Sequence, residues 1–281
     1  MKSLVNAALE EDGSRDLTTR ALKITGRARG VLIAKEAGVL AGGPMFEAVI
    51  RATDPRATFR WQVREGARVR KGQQVAVVNG LATALLRAER PALNMLQWLS
   101  GIATLTRQYV EAVKSTKTKI LDTRKTTPGL RALEKYAVRV GGGQNHRAGL
   151  AEAILVKDNH LRFMPSVREA VKRMVRVDKR AQIEVNNFFQ LQEAVDAGAR
   201  MVLLDNFSSA ALHQALKWIK GRGVITEVSG GMTLVKARQA SRWGADRISV
   251  GALTHSVKAL DFSLELYPLT PALSHKGRGG K

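Results

Sequence analysis

The sequence predicts an α/β protein whose second half is a parallel (β/α) barrel. Three observations carry that expectation. From about residue 117 onward, short apolar runs alternate with segments of helical spacing, and the later units recur roughly every 20 to 25 residues. Before that point, strand-like runs with few helices dominate the first 80 or so residues. Between the two regions lies one long apolar segment of helical period.

In order, Leu4 to Glu11 reads as a helix and Asp12-Gly13-Ser14-Arg15-Asp16 as a polar turn. Ala28 to Ala34 has the β-branched, apolar character of a strand, Gly38 to Gly43 that of a turn-rich connection, and Met45 to Ala52 that of a short helix. Thr58 to Val63 alternates like a strand, and a glycine-bounded turn (66–72) precedes a further strand from Gln74 to Val78. These strands suggest an open sheet with one exposed or helix-covered face. The spacing then predicts a helix from Leu85 to Val113, broken near Pro91 and at Ser100-Gly101, with Leu93, Leu96, Leu99, Ile102 and Leu105 on its buried side.

Beyond Lys117 the expected strands are Lys119–Leu121, Ala153–Val156, Gln182–Val185, Met201–Leu204, Val224–Val228 and Arg247–Val250. A helix from Leu130 to Val140 stops at Gly141-Gly142-Gly143, and further helices run over Ser166–Val175, Gln190–Ala197, Ala210–Lys220 and Leu234–Trp243. Nearly every strand ends in a charged or glycine-rich group. In a parallel barrel these ends share the face where active sites form.

The first cluster is Asp122-Thr123-Arg124-Lys125, and the glycine-rich loop that follows carries His146 and Arg147. Lys157-Asp158 closes the next strand. So many cationic groups at one rim call for an anion among them. Arg147 can hold a planar carboxylate through its fork and His146 through one ring N–H, although a histidine in a glycine loop can instead satisfy backbone groups. Lys157 also suits a Schiff-base nucleophile, which leaves an aldolase-like barrel as a rival. Glu184 and Asp205 emerge from neighbouring strands, where they either bind a hard cation such as Mg²⁺ against phosphate oxygens or pair with nearby lysines or arginines. Ser229-Gly230-Gly231, with Gly251 and His255 after the last strand, has the backbone freedom of a phosphate-binding turn.

Composition narrows the class. The 281 residues include no cysteine, which excludes disulfides, thiolate metal sites and a cysteine nucleophile. No apolar run approaches about 18 residues, so no membrane-spanning helix is expected. Met1-Lys2-Ser3-Leu4 leads into Glu10-Glu11-Asp12 without the apolar region of a signal peptide, and a cytoplasmic location is expected. The net charge of +22 admits a basic nucleic-acid-binding protein, yet the cations are scattered and aromatics make up 5%. That distribution argues against nucleic acid as the principal partner.

The motifs together resemble the quinolinate phosphoribosyltransferase family. The resemblance rests on Asp122-Thr-Arg-Lys-Thr-Thr-Pro-Gly-Leu-Arg131, Glu134 to Arg139, Gly141 to Arg147 and Ile154-Leu-Val-Lys-Asp-Asn-His160. It extends to Glu89-Arg90-Pro-Ala-Leu-Asn94, Leu99 to Ala103, Leu203-Leu-Asp-Asn206, Glu227 to Gly231 and Ile248 to His255. It runs in order over residues 4 to about 266. It implies an amino-terminal α/β sandwich (1–114, joined by 259–267) and an open parallel (α/β) barrel of about six or seven strands (115–258), leaving 268–281 as a basic mobile tail.

The resemblance further implies conversion of quinolinate and phosphoribosyl pyrophosphate to nicotinate mononucleotide, pyrophosphate and carbon dioxide in NAD biosynthesis. Quinolinate would meet Thr123, Arg124, His146, Arg147 and Lys157, with Arg90 arriving from the partner of a homodimer or higher oligomer. Lys125, Ser229, Gly230, Gly231, Gly251 and His255 would hold the phosphoribosyl donor. Glu184 and Asp205 would hold Mg²⁺ and, with Lys125, carry the catalytic role. A related phosphoribosyltransferase acting on another pyridine or base is the alternative. The chain departs from the family's pattern in a shortened turn at 12–16, in Pro91 where a threonine is common, and in Gln182 where an acidic residue is frequent.

Overall fold

The computed structural model describes residues 2–13 and 15–269. Contacts divide it into two units, one drawn from Met1–Thr104 and the segment beginning at Lys258, the other Leu105–Val257. The sequence expectation drew the division at 114/115, just past the long helix. In the first unit, α1 (Lys2–Glu11) is followed by α2 (Leu17–Ala21), which starts behind Asp16; the Asp16 carboxylate accepts from the Thr19 backbone N–H at 2.9 Å. Then come β1 (Arg27–Ala34), β2 (Gly38–Val39), α3 (Gly43–Thr53), β3 (Thr58–Trp61), β4 (Arg68–Val69) and β5 (Gln74–Leu81), which leads directly into α4 (Ala82–Ala112). Along β1 alternate residues Ala28, Gly30, Leu32 and Ala34 are buried, as a half-covered sheet requires. Phe46, Met45 and Ile50 from α3 are fully buried, as are Leu85, Leu93, Leu96 and Leu99 from α4.

The expected breaks at Pro91 and Ser100-Gly101 are absent, and α4 is continuous through both. Proline in a helix interior costs about 3 kcal/mol, whereas each buried Leu or Ile on the α4 face contributes about 1.5–3 kcal/mol. With Leu93, Leu96, Leu99 and Ile102 all buried, packing outweighs the local defect. Ser100 is not a break but a brace: its hydroxyl donates to the Ala41 carbonyl and accepts from the Ala41 N–H, both at 3.0 Å. Gly101 is required by a close approach, since a Cβ there would lie 2.3 Å from the Lys258 carbonyl oxygen.

The second unit contains β6 (Lys119–Leu121), α5 (Arg131–Val140), β7 (Leu155–Val156), α6 (Asp158–Leu161), α7 (Val167–Val177), β8 (Gln182–Val185) and α8 (Phe188–Asp196). It continues with β9 (Met201–Asp205), α9 (Ser209–Ile219), β10 (Ile225–Ser229), α10 (Leu234–Arg242), β11 (Arg247–Ser249) and α11 (Ala252–His255). Its strands form one six-stranded sheet in the order β6-β11-β10-β9-β8-β7, with parallel pairing throughout. Strands β6 and β7 stand at its two edges, so the barrel is open, as expected. Helices α7, α8, α9 and α10 start behind Ser166, Asn187, Ser208 and Thr233, each side chain accepting from the N–H three residues on.

Strand β12 (Phe262–Pro268) returns to the first unit and pairs antiparallel with β1, completing the sheet order β12-β1-β5-β3. Of the expected tail at 268–281, Pro268 belongs to this strand; everything beyond Leu269 lies outside the described residues. No helix among the described residues is long and apolar enough to cross a membrane.

Candidate active site

Parallel pairing carries all six strand ends of the second unit to one edge. In register, Glu184 on β8 faces Leu203 on β9, which faces Glu227 on β10, and Asp205 faces Ser229 two residues further along. A cavity of about 620 Å³ opens over this edge. Its lining includes Thr123, Arg124, Lys125, His146, Arg147, Lys157, Glu184, Asp205, Ser229, Gly230, Gly231, Gly251 and His255. Arg90, the remaining candidate, belongs to the other unit, where it is exposed on α4.

The cationic side is built on Asp122. This residue has no exposed surface, and its carboxylate accepts from Lys135 Nζ and, at 2.8 Å, from the His146 backbone N–H. Lys135 Nζ also donates to the His146 carbonyl at 2.8 Å, so the end of β6, helix α5 and the glycine loop are tied together. Burial pushes the Asp122 carboxyl up, against the bonds from Lys135 and the His146 N–H that favour its charge. Helix α11 fixes the neighbouring turn: Thr254 Oγ1 donates to the Lys125 carbonyl at 2.7 Å. Gly251 leaves room for both partners there, because a Cβ would sit 2.9 Å from His255 Nε2 and 3.3 Å from Lys125 Cδ.

Arg147 Nη1 donates to the Ala153 carbonyl at 2.7 Å, but its Nε is buried without a partner, and so is the Nε of Arg124. Burial, and then the charge of Arg124, lower the Arg147 pKa from its ordinary value. Two arginines that share a cavity with orphaned donors form a site short of anionic acceptors.

The acidic side faces them. Burial raises the Glu184 carboxyl, opposed by Lys157 and reinforced by Asp205 and Asp158. Lys157 Nζ lies 3.7 Å from Glu184 Oε2, so the lysine-pairing reading of Glu184 is realised in this structure. Asp205 accepts from the Asn206 side-chain amide at 2.8 Å. Asn206 is itself in the left-handed region, at φ 56°, and its Oδ1 would be 2.2 Å from a Cβ on Gly230. Gly230, at φ 98°, is therefore demanded both by backbone conformation and by space.

Among the described residues no group of three or more His, Asp or Glu is arranged to hold a metal by itself. The pair Glu184 and Asp205 nonetheless suits Mg²⁺, which takes one or two protein carboxylates and completes its shell with water and phosphate oxygens. Burial raises Glu184 and the Asp205 charge adds to it; a cation between the two carboxylates would offset both.

The lining also includes Glu227, Ser249, Leu155, Leu203, Met232 and Ala252, which the sequence had not assigned to the site. For Glu227 a signal was present, the one charged residue inside its strand; its register with Glu184 through Leu203 emerges only from the sheet. Of the others, Leu155, Leu203 and Ser249 are strand residues whose inward direction only the register reveals, Met232 lies in the glycine turn and Ala252 begins α11.

Comparison with known proteins identifies the family and the fold. Residues 16–100 match the quinolinate phosphoribosyl transferase N-terminal domain and residues 102–265 the C-terminal domain of the same family. The probable nicotinate-nucleotide pyrophosphorylase [carboxylating] of Bacillus subtilis is 39% identical over 274 residues, covering 95% of this chain and 93% of that protein. Its counterpart from Mycobacterium leprae is 40% identical over 274 residues, covering 94% and 96%. Among solved structures, NadC from Streptococcus pyogenes superposes with a TM-score of 0.89 at 42% identity, covering 96% of this chain and 98% of that one. The nicotinate-nucleotide pyrophosphorylase of Francisella tularensis gives a TM-score of 0.89 at 37% identity, covering 94% and 95%. With both domain matches in order over nearly the whole described chain, this protein belongs to the quinolinate phosphoribosyl transferase family.

Proposed function

We propose that this chain transfers a phosphoribosyl group from phosphoribosyl pyrophosphate to quinolinate, giving nicotinate mononucleotide, pyrophosphate and carbon dioxide in NAD biosynthesis. It is then a pentosyltransferase. The observation that carries the reading is the cavity's division, with Arg124 and Arg147 holding unpartnered buried donors on one side and Glu184 and Asp205 on the other. A ring with two adjacent carboxylates supplies acceptors for Arg124, Arg147 and Lys157 at once, beside the His146 ring. A ring with one carboxylate would leave some of these donors unsatisfied.

Departure of pyrophosphate leaves positive charge on the ribose and negative charge on the leaving group. Glu184 and Asp205 stabilise the first, and Lys125, beside the Gly251 turn, the second. Glu184 and Asp205 would also hold Mg²⁺, which when bound supplies charge neutralisation for the phosphate oxygens. Once ribosylated, the pyridine nitrogen is cationic and stabilises the carbanion left on the adjacent ring carbon when its carboxylate departs as carbon dioxide; a proton taken up by that carbon completes nicotinate mononucleotide. The cationic residues then have only to hold the ring in place, and no further electron sink is needed. Lys157 serves as an anion-binding residue rather than an imine-forming one, because a carboxylate already stands beside its ammonium group.

A homodimer in which Arg90 is contributed by the partner, and a cytoplasmic location, complete the proposal. Purified protein with Mg²⁺ should release carbon dioxide only when quinolinate and phosphoribosyl pyrophosphate are both present. Turnover of nicotinate without turnover of quinolinate would overturn the reading in favour of a related phosphoribosyltransferase.

A further inference from the structure

Glu227 lines the cavity, yet it has no exposed surface. A buried carboxylate persists where donors surround it. Here Gln182 Nε2 donates to Oε2 at 3.0 Å, Ser249 Oγ donates to Oε1, and His146 Nε2 lies 3.4 Å from the same Oε1. The other edge of the imidazole is also occupied, since His146 Nδ1 accepts from the Arg147 backbone N–H at 2.8 Å. A neutral His146 ring with Nδ1 engaged as an acceptor must carry its proton on Nε2, the atom that faces Glu227. Asp122 and Lys135 fix the backbone of the same residue. His146 is thus held at its backbone and at Nδ1, with Nε2 turned toward Glu227.

We propose that Glu227 is a positioning residue. Its carboxylate holds the Nε2–H edge of His146 and so sets the ring's angle beside Arg147 at the substrate's carboxylate end. Gln182 and Ser249 hold Glu227 in turn. Direct contact between Glu227 and an anionic substrate is disfavoured by charge, so its influence passes through the histidine.

Two measurements test this. The ¹⁵N ring spectrum of His146, assigned by loss of its signals in His146→Ala, should show the neutral ring protonated on Nε2; protonation on Nδ1 would overturn the assignment. In kinetics, Glu227→Ala should raise the quinolinate KM about tenfold while the phosphoribosyl pyrophosphate KM stays within about twofold. Added to His146→Ala, the same change should cost nothing more, because both act through one ring. Additive losses, or equal rises for both substrates, would make Glu227 a general structural residue instead. Glu227→Gln keeps the volume and an acceptor oxygen, so its quinolinate KM should stay within about threefold of the parent. Should Glu227→Ala fail to fold, the Glu227→Gln spectrum decides: loss of the neighbouring charge must move the His146 Nε2 resonance, and an unmoved resonance refutes the pairing. The kinetic arm rests on the quinolinate reading, whereas the spectrum does not. Absence of quinolinate turnover in the parent protein would therefore sink that reading and leave the Glu227–His146 pair open to test.

Discussion

Arg147 shows how a residue's environment can assign its role. Its guanidinium is partly satisfied by the Ala153 carbonyl, its Nε is orphaned, and Arg124 beside it disfavours the charge they both carry. An anionic ligand repairs all of this at once. Arg147→Ala should therefore raise the quinolinate KM by about 30-fold or more, equivalent to about 2 kcal/mol or more, and leave the phosphoribosyl pyrophosphate KM nearly unchanged; equal KM values for quinolinate would remove Arg147 from the site. Glu184 makes the complementary case through pH. Its carboxyl is raised above the ordinary 4.5 by burial and by Asp205, so the folded chain holds that proton to higher pH than the unfolded chain does. Stability from this group is then lost as pH rises from 4.5 through the folded-state value. Glu184→Gln should lose most of its activity, yet melt higher than the parent at about pH 7 without ligand, with the gap closing as pH falls below both pKa values. Matching melting profiles would show that Glu184 carries no such strain. Residue types were legible in the sequence because polar groups after apolar strands stand out. Glu227 was passed over because its role depends on three partners, Gln182, Ser249 and His146, far apart in sequence.

At the level of elements, most strands and the capped helices of the second unit could be read from period and N-cap residues. The long helix was harder, because Pro91 and Ser100-Gly101 carry the same local signals as a helix end. What overrides them is tertiary: an apolar stripe already committed to burial, and the Lys258 carbonyl packed against residue 101. Gly101 thus reports a close approach rather than flexibility. Gly101→Ala, harmless or mildly stabilising in an exposed helix, should here cost about 1–3 kcal/mol because backbone must move to admit the methyl. Chemical denaturation of the variant checks this, and an unchanged or higher midpoint would show that the Lys258 segment yields without penalty. Strand β7 was overestimated for a related reason. Ala153 and Ile154 have the composition of a strand, but the ladder to β8 pairs only Leu155 and Val156, so hydrogen-bonding partners rather than propensity set its length.

At the level of the whole molecule, the site residues of the second unit gather around one cavity, while Arg90 stands on a helix of the other unit. If Arg90 completes the site of a partner subunit, then every site in a homodimer mixes two chains, and the defect of one chain can be made good by the other. Assayed at quinolinate well below the parent KM, Arg90→Ala and Arg147→Ala proteins should each be nearly inactive alone. Co-expressed, they should form hybrid dimers in which one site has both arginines and the other has neither. With random pairing, half of the dimers are hybrids and half of their sites are intact, so about a quarter of parental activity should return. Arg90 acting within its own chain predicts no recovery, since every site would then lack one arginine or the other. A monomer predicts none either, and sedimentation of the parent protein separates those two outcomes. The net charge of +22 bears on the same experiment, because it opposes association of like chains at long range. Recovery should accordingly be greater at about 0.15 M salt, where the screening length is about 8 Å, than at about 0.01 M, where it is about 30 Å.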